Sequence, residues 1–248
     1  MHFCKNCGEK VVGMYCSHCG QKAVEGRISF QHIWHGLVHF FTHAEKGFLF
    51  TTGQLITKPG TVVTRYIDGS RIRYQPPVSY FLIWNAIYIL LLYIINKLFG
   101  ENIAVNFSGY FGPGEKTRFA ISHLNIVLMC LLPFQALYVW LILVYKQYNY
   151  FEAFVMILYS IGTLLLWQCV FVLLAIGIHL ISDISVNIRY SDLFKGAYVS
   201  WFLFDLSKLL PVKNKIVRSI VVLLLIIGTF TWWRLYVYPS VAGLFFRV

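Results

Sequence analysis

Charge is scarce in this 248-residue sequence: 12% of its residues are charged, and its 10 acidic residues face 21 Lys and Arg. Soluble domains carry roughly 25% charged residues. With a mean hydropathy of +0.66, an ordinary soluble domain is excluded. An early apolar run is also missing. The first long one begins near Val78, beyond the ~15–30 residues of a secretory leader, so we expect no leader and a cytoplasmic N-terminal region. No Ser/His pair, paired carboxylates or glycine-rich phosphate cradle occurs, so no catalytic residue is assigned and an enzyme is not the expected class. Dense basic tracts are absent too. The cations flank apolar runs, which points to positive-inside topology and anionic lipid headgroups rather than nucleic acid.

Six cysteines are present, and four of them crowd the first twenty residues as Cys4-Lys-Asn-Cys7-Gly8 and Cys16-Ser-His-Cys19-Gly20. In a reducing compartment such a set ligates metal rather than forming disulfides. Two residues between thiols let both sulfurs turn toward one ion, and the following glycine allows the positive φ of that turn. Four thiolates close a tetrahedral sphere, so the ion is structural; we expect zinc, with rubredoxin-like iron as the competitor. The short spacing leaves room for a tight hairpin over 11–15, and the metal should supply the folding energy of residues 1–25. His18 should face solvent. Cys130 and Cys169 stand alone in apolar runs and read as packing residues.

Residues 26–77 form a connector. Ser29 is a helix N-cap candidate, and His32, His39 and His43 fall within about 40° of one another on a helix, with His35 about 60° off. One reading is a second metal or proton-sensitive site built from these histidines, with Glu45. The other is an interfacial helix whose imidazoles face water. Pro59-Gly60 should end one short helix and start another, and Gly69 should stop the second. Arg65, Arg71 and Arg73 precede the apolar region, as lipid-phosphate contacts or as positive-inside anchors.

Residues 78–248 should form a transmembrane bundle. Spans are expected near 78–99, 121–145, 153–181 and 216–238. The segment 192–206, with Lys195 and Asp205, either crosses or lies re-entrant. If it crosses, Lys208, Lys213, Lys215 and Arg218 share a side with the nine cations up to Pro77, as the positive-inside rule asks. The expected fold is therefore an all-α membrane helix bundle of about five spans, with a small N-terminal zinc ribbon and an amphipathic-helix connector.

Tyr15-Cys-Ser-His-Cys-Gly-Gln-Lys22, the His35/His39/His43 helix, Glu45-Lys-Gly-Phe-Leu, Pro59-Gly60, Arg65-Tyr-Ile-Asp-Gly69, Arg71-x-Arg73-Tyr74-x-Pro76 and Tyr148-Asn-Tyr-Phe-Glu152 together resemble a bacterial domain-of-unknown-function family, number 3667, of zinc-ribbon membrane proteins. The resemblance implies a multi-pass protein of the bacterial inner membrane and carries no activity. The expected function is a non-enzymatic scaffold, recruitment or regulatory module, whose ribbon meets a cytoplasmic protein partner. The alternative is a lipid or small-solute transporter, or a membrane enzyme, acting at the His/Arg-rich juxtamembrane region.

Overall fold

The computed structural model describes residues 2–23, 26–34, 47–99, 105–106, 129–182, 184, 186–211, 213–232 and 236. The chain is mostly helical, with the cysteine cluster at its N-terminal end. In that head, strand β1 (His2–Phe3) runs antiparallel to β2 (Lys10–Val11), and Tyr15 bridges to Lys22. No hairpin therefore closes over 11–15. The chain reversals are the knuckles themselves, where Gly8 (φ 81°) and Gly20 (φ 74°) turn the backbone and bring each knuckle's flanks together.

Helix α1 (Phe48–Thr57) and helix α2 (Pro59–Ile67) meet at the expected break. Pro59 starts α2 at the position where a missing N–H costs nothing. Gly69, at φ 115°, follows the end of α2 in the left-handed region.

The apolar runs become helices α3 (Pro77–Phe99), α4 (Met129–Val144), α5 (Tyr150–Ser182), α6 (Ser191–Leu209) and α7 (Lys215–Trp232). Three of them, α3, α5 and α7, are long and apolar enough to cross a membrane. The span expected near 121–145 is described only through α4, a shorter apolar helix. Its last turns, Val139–Val144, widen to π geometry, and Arg218 of α7 donates to the Ile142 carbonyl there at 3.1 Å. Segment 192–206 is helical within α6, whose charges sit at its two ends: Lys195 pairs with Asp192 at 3.2 Å, and Lys208 with Asp205 at 3.9 Å.

Among the described residues, two glycines lie at close helix crossings. A Cβ on Gly162 of α5 would lie 2.7 Å from the Tyr80 ring of α3, beside the buried hydrogen bond between the Tyr80 and Thr163 hydroxyls (3.1 Å). A Cβ on Gly60 of α2 would lie 2.6 Å from the Leu206 backbone nitrogen of α6. At that crossing the Gly60 N–H donates to the Asp205 carboxylate at 2.9 Å, where a negative charge complements the helix N-terminus. At another part of the bundle, β3 (Val105–Asn106) pairs in parallel with β4 (Val186–Asn187), joining the chain beyond α3 to the chain beyond α5.

Gly60→Ala should lower stability by about 1–3 kcal/mol, because backbone rather than a movable side chain blocks the methyl. Gly53→Ala, on α1 with open space around it, should instead be neutral or stabilise by up to about 1 kcal/mol. Thermal unfolding of the two purified variants reads both signs.

Candidate metal centre and the cleft beside it

The two knuckles are built alike. The Cys4 N–H donates to the Glu9 carbonyl (2.8 Å) and the Cys16 N–H to the Gln21 carbonyl (2.7 Å). Gly8 and Gly20 donate back to the carbonyls of Cys4 and Cys16, both at 2.8 Å. This pairing aims all four thiols inward: Cys4 and Cys19 sulfurs lie 3.5 Å apart, Cys7 and Cys16 sulfurs 3.6 Å apart, and all four fall within 4.8 Å of one another. A tetrahedral thiolate site with metal–sulfur bonds of about 2.3 Å requires sulfur–sulfur edges of about 3.8 Å. The cluster fits one metal ion.

Its electrostatics point the same way. The Cys7 backbone N–H holds the Cys4 thiol down to about 6, against the desolvation it also feels. The Glu9 backbone N–H favours the Cys7 thiolate as well, yet burial and the neighbouring cysteines together push Cys7 up to about 12. Sulfurs this close cannot all ionise unless a cation sits among them. His18 is exposed, as expected. Four sulfurs fill a tetrahedral sphere and leave no position for water or substrate, so such an ion would hold the fold rather than react.

The head is fastened to the chain just ahead of α3 by Gln21 and Asn6. Gln21, 2% exposed, donates through Nε2 to the Gly69 carbonyl, while its Oε1 accepts from the backbone N–H groups of Arg71 (3.2 Å) and Ile72 (3.5 Å). Ser70 donates from its hydroxyl to Asn6 Oδ1 at 3.0 Å. A second tie runs through the connector's first residues. Arg27 forms a forked pair with the buried Glu152 of α5 (2.6 and 3.2 Å), and Asn149 donates to the Ile28 carbonyl at 2.9 Å. Phe30 packs against Phe151 with ring centroids 6.2 Å apart.

The three juxtamembrane arginines do not act together. Arg71 reaches the Gly26 carbonyl at 2.7 Å, whereas Arg65 and Arg73 line an open cleft of about 820 Å³ with Lys5 of the head and Arg27. Asp68 and Glu152 line it too. Burial raises the Asp68 carboxyl pKa, the Lys5 charge opposes that rise, and Glu152 adds to it. The exposed His32 has Ser29 Oγ 3.1 Å from its Nδ1. His35, His39, His43 and Glu45 lie outside the described residues.

Sequence reasoning passed over Lys5, Gln21, Arg27, Glu152 and the capping role of Asp205. Gln21 and Glu152 were nonetheless inside the motifs quoted for the family resemblance, which was the available signal.

Residues 45–89 match the family described as "Protein of unknown function (DUF3667)". The DUF3667 match takes in α1, α2, the loop that receives Gln21 and the first half of α3. It supports the family expected from the motifs. No curated protein and no solved structure matches the chain.

Metal analysis of the purified full chain should return one ion per polypeptide, and Cys4→Ser or Cys16→Ser should bring that to zero. A count of two would make the histidine stripe a second ligand set.

Proposed function

We propose that this chain is a non-enzymatic, multi-pass protein of the bacterial inner membrane whose structural zinc ribbon recruits a cytoplasmic protein partner to the bundle. The carrying observation is the two-faced head. One face is committed to the chain's own loop through Asn6 and Gln21. Elsewhere the head leaves Phe3, Val12, Met14 and Tyr15 61–93% exposed. Exposed apolar side chains gathered on so small a unit are the usual mark of a binding surface. Zinc is the metal best suited to a closed four-thiolate site.

Five crossings with a cytoplasmic N-terminus are the topology we favour, and the helix ends support it. The α5 N-terminus lies at Arg27, the α6 C-terminus at Gly60, and the α7 N-terminus beside the end of α4. The strand pair β3–β4 ties the opposite ends of α3 and α5. On this reading α6 returns from the far side. Its 19 residues span about 28 Å at ~1.5 Å per residue, close to the ~30 Å hydrocarbon thickness. Its charges are confined to the ends, where the crossing tolerates them.

A photo-reactive residue placed at Met14 in cells should crosslink to a second, cytoplasmic polypeptide, and Phe3→Ser should weaken that product. Crosslinks to lipid alone, or none, would contradict recruitment.

A further inference from the structure

We propose that the cleft between the head and the bundle binds a phosphate-bearing ligand of about two negative charges, held by Lys5, Arg65 and Arg73. The cleft is about 820 Å³, within the ~300–1,000 Å³ usual for small-ligand sites. Its lining cations, Lys5, Arg27, Arg65 and Arg73, outnumber its carboxylates, Asp68 and Glu152, by two. Arg27 and Glu152 neutralise each other in their forked pair. Among the described residues no ion pair takes up Lys5, Arg65 or Arg73.

These three cations come from separate places: the first knuckle, the last turn of α2 and the loop before α3. Like charges from distant sequence positions repel one another, and a shared anion between them relieves that cost. A phosphomonoester carries about −1.5 to −2 at pH 7 and offers three acceptor oxygens. Guanidinium forks match that geometry better than ammonium groups do.

Arg73, which lines the cleft, also touches an apolar surface outside it. The Arg73 guanidinium lies 4.9 Å from the Phe50 ring centroid. Their chain neighbours on α1 and the loop, Leu49 and Ile72, are 80% and 50% exposed. Apolar side chains beside a cation suit the headgroup layer of a bilayer. A lipid headgroup and a soluble phosphate compound share this chemistry, and the test separates them. The inference goes beyond recruitment, but it rests on the docked head, because Lys5 belongs to it.

Two arms use the purified full chain: equilibrium dialysis in detergent against labelled inorganic phosphate, and reconstitution into phosphatidylcholine vesicles with or without phosphatidic acid, followed by analysis of retained lipid. Binding in either arm, weakened about tenfold by Arg65→Gln or Arg73→Gln and unaffected by Lys213→Gln, supports the site. The arm that responds identifies the source. Failure in both arms, or an equal loss with Lys213→Gln, overturns it. Metal content at the wild-type level shows that the head survives in each variant. Loss of the Met14 crosslink with phosphate or lipid binding intact would sink recruitment and leave this site standing.

Discussion

The arrangement hangs on the amide of Gln21. The loop between α2 and α3 has left one helix and not yet begun the next, and its backbone closes only local turns, Gly69 and Ser70 donating back to Tyr66 and Arg65 and Arg71 to the Gly69 carbonyl (3.1 Å). Gln21 takes up the Gly69 carbonyl and the Arg71 and Ile72 N–H groups together. One side chain thus adds three contacts to those turns, and the Ile72 N–H depends on it most, because the Arg71 N–H and the Gly69 carbonyl also bond each other. The loop is gripped on its other side as well. Gln75 donates its N–H to Thr51 Oγ1 (2.8 Å) and accepts from the Tyr159 hydroxyl of α5 (2.6 Å). Head, loop and bundle are thereby linked through buried and part-buried hydrogen bonds.

The cysteine cluster makes Gln21 available for this work. The Gln21 carbonyl closes the second knuckle by accepting the Cys16 N–H, so the residue that completes the metal-site geometry also reaches out to the loop. A metal bound in the cluster would therefore be coupled to docking through one residue. The head has little core of its own, with Cys4, Val11 and Cys16 as its buried apolar members. Losing the metal should therefore loosen the loop ahead of α3 and the cleft that Lys5 helps to line.

Much of the fold was legible in the sequence because its signals are local. The knuckle spacing, the Pro59-Gly60 break and the stop at Gly69 each act within a few residues, and the apolar runs declare themselves by length. What stayed hidden depends on partners far away in sequence. Asp205 read only as a charge within the doubtful segment 192–206, and the crossing of α6 over Gly60 makes it the acceptor for the α2 N-terminus. The arginines Arg65, Arg71 and Arg73 read as one group by composition. Geometry divides them, because Arg71 is drawn to Gly26 while the other two line the cleft beside Lys5. The motifs containing Gln21, Gly69 and Glu152 marked the right positions without revealing that they assemble around the head.

The central claim, that the head is docked by Gln21, is tested most directly by amide hydrogen exchange at Arg71 and Ile72 in the metal-loaded full chain. With Gln21→Ala the account predicts that exchange at Ile72 accelerates by at least about tenfold, and at Arg71, which keeps its bond to the Gly69 carbonyl, by less, while metal content and exchange within α5 stay unchanged. Unaltered protection at Ile72 would contradict it.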